Sequence, residues 1–280
     1  MIPEVLNHYL QTWSLLEPTL LAETRSSLVY TVAYQGESAV LKLLKPAGEE
    51  EQEGAIALAH FNGHGAVRLL RHDSNAHLLE YADGEDLVGM VKRGDDAQAA
   101  MIIADVLNQL HAVPLNSPTP LTPLRTWYRA LFTQADIERE KGSESIYVRA
   151  AALAEKLLDN PEQQVVLHGD IHHANIRYRA GRGWLAFDPK GLYGERTYDA
   201  ANTLCNPIDM RDLVENEARL LPIAGILAER LNLDLTRLLA FVYVYVCLSA
   251  CWWLGDGVDP VGDMRIAAIV EPHLAPFGVG

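Results

Sequence analysis

Three oxygen-bearing side chains lie at the ends of two neighbouring apolar runs in the second half of the chain. Asp170 and Asn175 follow the run Val165–Leu167, and Asp188 follows the run Trp184–Phe187. Phosphoryl transfer needs such a set, because one carboxylate orients the attacking hydroxyl and accepts its proton while other oxygens bind Mg²⁺. The pattern therefore indicates a phosphoryl-transfer site in a cleft where strands end.

The spacing of these residues matches the kinase catalytic loop H-R-D-x-x-x-x-N, which is followed downstream by D-F-G. Asp170 precedes Asn175 by five positions, and Asp188 stands 18 positions after Asp170, where the second motif would begin. Glycine replaces the arginine of the first motif, and Pro189 replaces the phenylalanine of the second. The next predicted helix follows soon after Asp188, so we expect no long activation loop of the kind that regulates protein kinases.

Lys42 lies within a predicted strand that has apolar neighbours on both sides. A lysine there is costly unless its ammonium group meets a partner, and a kinase site offers ATP phosphates and a glutamate on the next helix. That helix is predicted over residues 49–61, and either Glu51 or Glu53 could supply the carboxylate. We prefer Glu51, which shares the inward face of the helix. An edge-strand lysine pointing to water is the alternative.

Nucleotide contacts are also expected from two segments without a side-chain signature. The turn Thr24–Ser27 stands where a glycine-rich loop would cover the phosphates, and Ser26 and Ser27 could cradle a phosphate through hydroxyls and amides. An ordinary polar turn explains it equally well. Glu80, Tyr81 and Ala82 occupy the expected hinge, where backbone groups would bind adenine.

The histidines of the predicted loop allow a metal alternative. His168 and His172 have the H-x-x-x-H spacing of zinc ligands on a helix, but the loop context argues against a helix, and His168 is expected to support the loop. Asp199 begins the next predicted helix, where it could fix the loop through hydrogen bonds or cap the helix. Trp252 and Trp253 could line a substrate cleft, although core packing is the better interpretation.

Strand patterns dominate before residue 84 and helical patterns after it. The sequence therefore predicts two lobes, 1–83 for nucleotide binding and 84–280 for the catalytic loop and substrate cleft. A hairpin is predicted over residues 28–44, with a helix before it that ends at Pro18 and two further strands at 66–70 and 76–81. The predicted helices of the second lobe cover 97–111, 121–141, 144–160, 209–231, 234–254 and 262–273.

Composition limits the partners that the chain can have. The 280 residues carry a formal charge of −14, which argues against a nucleic-acid partner and is compatible with a cationic small molecule. The apolar segment 241–253 is too short for a membrane span and is predicted to be a buried helix. The three cysteines form no disulfide framework, and the start of the chain has no signal-peptide profile. These features indicate a cytoplasmic protein, either a monomer or a homodimer.

Nearly the whole chain resembles the aminoglycoside phosphotransferase superfamily, and most closely its streptomycin 6-kinase and hydroxyurea-kinase branch. His-Gly-Asp-x-His-x-x-Asn with a downstream aspartate is typical of the superfamily, and Asp-Pro-Lys-Gly-Leu points to the branch. The signals lie at residues 24–29, 65–70, 168–176, 183–191 and 247–250. The resemblance implies an α+β, protein-kinase-like two-lobe fold, with a small N-terminal antiparallel sheet bearing one helix and a larger helical C-terminal lobe.

The resemblance also implies roles for individual residues. Asp170 would be the catalytic base, Asn175 and Asp188 would hold Mg²⁺, and Lys42 would contact the phosphates of ATP and pair with Glu51. The acceptor would be a hydroxyl of an aminocyclitol, with the guanidinium-bearing ring of streptomycin as the leading case. Two alternatives are a metabolic kinase for a fructosamine-like or other alcohol, and an inactive nucleotide-binding protein.

Overall fold

A five-stranded antiparallel sheet forms the first lobe of the protein, for which we analysed a computed structural model that describes residues 4–46, 51–115 and 119–278. The strand order is β1-β2-β3-β5-β4, and two helices accompany the sheet. The elements of this lobe are α1 (Glu4–Thr12), β1 (Leu16–Glu23), β2 (Ser27–Tyr34), β3 (Glu37–Leu44), α2 (Glu51–Phe61), β4 (Leu69–His72) and β5 (Ala76–Glu80).

The predicted hairpin is confirmed, and its turn sets the position of Lys42. Gln35 and Gly36 both have positive φ, 52° and 84°, as the two-residue hairpin turn that matches the twist of strands requires. This turn pairs Tyr34 with Glu37 and aligns Lys42 between Val29 of β2 and His77 of β5. Lys42 therefore lies on the central strand of the sheet and not at an edge.

The prediction of one helix up to Pro18 was wrong. Helix α1 ends at Thr12, and Pro18 lies within β1, at an irregularity of the strand register between Leu16 and Thr19. A proline is tolerated there because β1 is an edge strand, where a missing N–H breaks no ladder. Residues of α1 instead pack on the sheet as part of a small separate core, in which Tyr9 is buried.

The strand predicted over residues 66–70 begins later in the structure, at Leu69, and extends to His72. Ala66 forms a bridge with Ala186 of the second lobe, and the Val67 N–H donates to the Ala186 carbonyl at 2.9 Å. Residues 66–67 thus pair with the second lobe instead of the first sheet, and β4 begins only at Leu69. Of the helix predicted from residue 49, residues 51–61 are helical, and Glu49 and Glu50 lie outside the described residues.

Helices dominate the second lobe, as expected. Its elements are α3 (Val88–Lys92), α4 (Asp96–His111), β6 (Thr122–Pro123), α5 (Leu124–Trp127), α6 (Arg129–Glu140), α7 (Ile146–Asp159), β7 (Gln164–Leu167), a 3-10 turn (His173–Asn175), β8 (Ile176–Arg179), β9 (Gly183–Ala186), β10 (Leu192–Glu195), α8 (Thr197–Leu204), α9 (Arg211–Val214), α10 (Glu217–Leu231), α11 (Leu235–Gly255), α12 (Val261–Val270) and two final 3-10 turns (Glu271–His273, Ala275–Phe277). The helix predicted over 121–141 is divided, because residues 122–123 pair with β10.

Helix α11 is the core of the second lobe. Its residues Leu238–Leu248 are all buried, and it contacts α6, α7, α8, α10 and α12. In the described part of the chain it is also the one helix long and apolar enough to cross a membrane, with 61% of its most apolar window buried in the protein. Its apolar character is therefore accounted for by its central position.

Candidate active site

An ion triad joins the two lobes at the predicted site. Lys42 Nζ donates to Glu51 Oε2 at 2.6 Å and also contacts the Asp188 carboxylate, 146 positions away in the chain. The lysine side chain is 9% exposed and that of Asp188 is 46% exposed, so the triad lies at the wall of a cleft. This contact brings together three of the residues that the sequence predicted for ATP and metal binding.

Mutual attraction keeps Lys42 and Asp188 charged. Burial alone would lower the pKa of Lys42, but the charges of Asp188 and Glu51 outweigh it and raise that pKa. Burial would likewise raise the pKa of Asp188, but the Lys42 ammonium lowers it below the ordinary value. The site therefore presents a cation beside a carboxylate at neutral pH.

The choice between the two glutamates of α2 is settled by their partners. Glu51 accepts from Lys42 and, through Oε1, from the Ser26 hydroxyl at 2.7 Å. Glu53 instead accepts from the N–H and hydroxyl of Thr122, at 2.8 and 2.9 Å. The prediction that Glu51 pairs with Lys42 is confirmed, and Glu53 serves to join α2 to the second lobe.

Replacing Glu51 by glutamine should raise the KM for ATP by about tenfold, since one charge-assisted hydrogen bond of about 1.5–3 kcal/mol is lost from Lys42. The matched control is Glu53→Gln, which removes the same charge two residues away and touches no residue of the triad. Steady-state kinetics with varied ATP measure both. An equal rise in both variants would contradict the assigned role of Glu51.

The loop that carries Asp170 is held by a buried carboxylate. Asp199 of α8 accepts the backbone N–H groups of His168 at 3.0 Å and of Gly169 at 2.8 Å, and His111 Nε2 lies 2.8 Å from the same carboxylate. Asp199 is 0% exposed. The structure thus favours the predicted loop-fixing role over capping, because α8 begins after Arg196 without a side-chain cap.

His168 supports the same loop from inside, as predicted. Its Nδ1 accepts from the Asp170 N–H at 3.3 Å, and its Nε2 lies 3.0 Å from the Phe187 carbonyl, to which it donates. Burial lowers the pKa of His168 and keeps it neutral, which suits one accepting and one donating nitrogen. Both ring nitrogens are committed to the backbone, which argues against the zinc alternative.

Asn175 and Asp188 fit a hard cation. Asn175 Nδ2 donates to the Asp170 carbonyl at 2.9 Å, so its Oδ1 is the atom that could bind a metal. Its own carbonyl accepts from the Phe187 N–H at 3.0 Å, which ties it to the segment that presents Asp188. Asp188 has a positive φ of 62°, and its carboxylate already contacts one cation, the Lys42 ammonium group. An amide and a carboxylate oxygen are the donors that Mg²⁺ selects.

The predicted phosphate and adenine contacts are only partly placed in the cleft. Ser27 is 1% exposed and its hydroxyl lies 3.0 Å from the Thr24 hydroxyl, so its side chain belongs to the turn. The Ser26 hydroxyl is committed to Glu51. Both hydroxyls are thus engaged within the protein, and phosphate binding by Ser26 and Ser27 stays a prediction in which the backbone amides of the turn are the groups that remain to be offered.

At the hinge, the Glu80 N–H donates to the Arg68 carbonyl at 2.9 Å, and the Glu80 carboxylate accepts from Arg182 at 2.6 Å. The Tyr81 carbonyl accepts from Arg179 at 2.8 Å. The Glu80 N–H and the Tyr81 carbonyl are thus engaged within the protein. Adenine contacts through the Glu80 carbonyl and the Ala82 N–H stay predictions.

His111 is a site residue that the sequence analysis missed. It ends α4, and a histidine in the last turn of an amphipathic helix carries no sign of a partner 88 positions away. Lys190 was missed too. Its backbone N–H donates to the His168 carbonyl at 2.8 Å, two residues before Asp170, and its charge lowers the pKa values of Asp188 and His172. In the sequence Lys190 stands out only as a member of the Asp-Pro-Lys run, which gives it no role of its own.

Comparisons with known proteins show which proteins the chain resembles. Residues 12–257 match the model of the family described as aminoglycoside/hydroxyurea antibiotic resistance kinase. A streptomycin 3''-kinase of Klebsiella pneumoniae is 35% identical over 256 residues, which are 89% of this chain and 92% of the relative. A streptomycin 6-kinase of Streptomyces griseus is 29% identical over 97% of this chain and 90% of its own length. A hydroxyurea phosphotransferase of Kitasatospora aureofaciens is 30% identical over 99% of this chain and 80% of its own length.

Solved structures share the fold. An aminoglycoside phosphotransferase mutant, in ternary complex with AMP-PNP and hygromycin B, superposes with a TM-score of 0.67 at 17% identity, covering 96% of this chain and 98% of its own. An ethanolamine kinase of Plasmodium vivax has a TM-score of 0.63 at 17% identity, over 93% of this chain and 84% of its own. The predicted two-lobe, protein-kinase-like fold is thereby confirmed.

Proposed function

Because the chain belongs to the aminoglycoside/hydroxyurea antibiotic resistance kinase family, we propose that it inactivates streptomycin by transferring the γ-phosphoryl group of ATP to one of the antibiotic's hydroxyls. The enzyme is a phosphotransferase with an alcohol group as acceptor, and its relatives are kinases of streptomycin and hydroxyurea. Streptomycin is the favoured acceptor, because two of these three relatives are streptomycin kinases, one of them at 35% identity.

The contact of Lys42 with both Glu51 and Asp188 is the observation that carries the proposal. It sets a cation for the ATP phosphates beside a carboxylate for a metal, and Asn175 joins the segment of Asp188 to the loop of Asp170 through its hydrogen bonds with Phe187 and Asp170. Asp170 would orient the acceptor hydroxyl and take its proton. Most of the acceleration would then come from positioning and electrostatics.

Magnesium enters the proposal through Asn175 and Asp188, which would hold it. When bound, the metal would neutralise charge on the β- and γ-phosphates. The Lys42 ammonium would share that task from the first lobe. The net charge of −14 would favour the approach of a cationic antibiotic over that of a neutral or anionic acceptor.

Purified protein incubated with ATP, Mg²⁺ and streptomycin should convert the antibiotic to a product heavier by one phosphoryl group. Mass spectrometry detects the product, and phosphorus–proton correlation NMR identifies the oxygen that carries the phosphate. The two kinds of streptomycin-kinase relatives imply two possible positions, 3'' and 6. Expression of the gene should raise the inhibitory concentration of streptomycin for a sensitive host, whereas the Asp170→Asn gene should not.

Hydroxyurea is the second candidate, because the hydroxyurea phosphotransferase relative is 30% identical over almost the whole chain. Parallel assays with hydroxyurea, and with a fructosamine for the metabolic alternative, separate these functions. Turnover of hydroxyurea with no phosphorylation of streptomycin would overturn the antibiotic assignment. ATP binding without turnover of any of the three acceptors would support an inactive nucleotide-binding protein instead.

A further inference from the structure

The hairpin formed by β8 and β9 connects the metal-binding end of the site with the hinge. Asn175 directly precedes β8, and Asp188 follows β9 by two residues, so both predicted metal ligands lie at one end of the hairpin. The other end is a turn in which the Arg182 N–H donates to the Arg179 carbonyl at 3.1 Å. This turn therefore carries two guanidinium groups, and neither belongs to the motifs that predicted the site.

The hairpin contacts the chain on both sides of β4 and β5, the strands that lead to the hinge. Before these strands, the Gly65 carbonyl accepts from the Ala186 N–H of β9 at 2.8 Å. After them, the Gly84 N–H donates to the Tyr178 carbonyl of β8 at 2.9 Å. A Cβ on Gly84 would lie 2.4 Å from that carbonyl oxygen, so only glycine lets the backbone approach β8 so closely. The hinge, residues 80–82, is thus held next to the hairpin.

Glu80, the last residue of β5, has a carboxylate that both arginines of the turn contact. Its Oε2 accepts from Arg182 Nη1 at 2.6 Å and from the Arg68 N–H at 3.0 Å. Its Oε1 lies 3.4 Å from Arg179 Nε. The residue is 6% exposed, and a carboxylate so deeply buried is stable only when it is paired and hydrogen-bonded. The two arginines therefore fix the Glu80 side chain at the point where the hinge begins.

Both arginines also bind backbone carbonyls beside this carboxylate. Arg182 Nη2 donates to the Gly63 carbonyl at 2.5 Å, and Arg179 Nη1 donates to the Tyr81 carbonyl at 2.8 Å. A guanidinium presents five donors in a rigid plane, so one side chain can hold a carboxylate and a carbonyl in a fixed relation. Arg179 thereby connects Glu80 with the peptide group that follows Tyr81.

The contact of Arg179 orients the peptide group between Tyr81 and Ala82. In a planar trans peptide the carbonyl and the N–H point in opposite directions, so the bond from Arg179 to the Tyr81 carbonyl turns the Ala82 N–H away from the arginine. Ala82 retains 5% exposure, and its N–H donates to no acceptor among the residues that the structure describes. A backbone donor in so enclosed a position is nearly always paired, so this N–H calls for an acceptor on a ligand.

We propose that Arg179 and Arg182 position the nucleotide base, by holding Tyr81 and Glu80 so that the Ala82 N–H meets N1 of adenine. The proposal rests on the proposed use of ATP and adds to it the residues that set the affinity for the base. N1 is an acceptor at the edge of the adenine ring, which matches the donor that the hinge presents. Neither arginine contacts the base in this assignment, so each acts through the backbone as a positioning residue.

The test compares ATP with 1-deaza-ATP, in which a C–H group replaces N1 and the phosphates are unchanged. The wild type should bind ATP about tenfold more tightly, since the analogue leaves an enclosed N–H without an acceptor. In Arg179→Met this preference should fall to about twofold or less, while the affinity for 1-deaza-ATP stays within about twofold of the wild type. Calorimetric titration with Mg²⁺ and without an acceptor measures these affinities.

Arg230→Met is the matched control, because it removes an arginine from an exposed ion pair with Asp105 in the second lobe. It should keep the preference for ATP. Arg182→Met should lose the preference as Arg179→Met does, and its melting curve shows whether the protein still folds around the buried Glu80 carboxylate. If it does not fold, Arg179→Met decides the test, since Arg179 lies farther from that carboxylate, at 3.4 Å.

Two outcomes would overturn the positioning role. One is a wild type that binds ATP and 1-deaza-ATP equally well. The other is an Arg179→Met variant that loses affinity for both nucleotides to the same extent, as a merely structural arginine would. A preference for ATP that depends on Arg179 would support the role even if streptomycin is not phosphorylated, whereas a wild type that binds no ATP would refute both the role and the proposed function.

Discussion

Asp170→Asn should lower kcat for streptomycin phosphorylation by roughly 10³-fold or more, near the upper range for a single general base. The affinity for ATP should stay within about twofold, because Asp170 is assigned to the acceptor side of the transfer and makes none of the triad contacts. Its side chain is 33% exposed and lies 3.9 Å from His172 Nε2, so no buried partner is lost in the exchange. The fold should therefore survive.

Rapid-quench kinetics would give the rate of the transfer step, and calorimetric titration with a non-hydrolysable ATP analogue would give the affinity. The substituted asparagine keeps the size of the side chain and one oxygen, so only the proton acceptor is removed. A variant that loses ATP binding to the same extent as turnover would assign Asp170 to the nucleotide instead. A wild-type kcat in the variant would show that Asp170 is not the general base of the phosphotransfer.

The ion triad was predictable because each member carries a local sign. Lys42 interrupts an apolar strand, Asp188 ends one, and Glu51 shares a helix face with apolar residues. A charge in such a place is costly unless it is paired, so the pattern predicts that the charges meet. The structure confirms the choice of Glu51 over Glu53 through the Lys42 contact.

The features that were not predicted depend on partners far away in the chain. Pro18 is typical of a helix end when the sequence is considered alone, because nothing local shows that Leu16–Glu23 is the edge strand of a sheet. The burial of Ser27 and its contact with Thr24 within the turn are not visible in the sequence, because they depend on the packing of the sheet.

Asp199→Ala should reduce both activity and stability, because two backbone N–H groups and one histidine would lose their acceptor. The N–H groups of His168 and Gly169 are buried, and each unsatisfied buried donor costs about 1–3 kcal/mol. We therefore expect the free energy of unfolding to fall by about 2–5 kcal/mol. The carboxylate does not reach the substrate, so its catalytic effect would come from the position of Asp170 two residues further on.

In the fraction of Asp199→Ala that remains folded, kcat should be lower by about 10²-fold, the size expected when a catalytic group is displaced by about 1 Å. Asp234→Ala is the matched control, since Asp234 also accepts a backbone N–H, that of Arg237 at 2.7 Å, but at the exposed start of α11. It should cost about 1 kcal/mol of stability, as helix caps do, and leave kcat unchanged. Urea unfolding and active-site titration separate the two effects. If the folded Asp199→Ala enzyme had the wild-type kcat, the Asp199 carboxylate would stabilise the fold only and would not position Asp170.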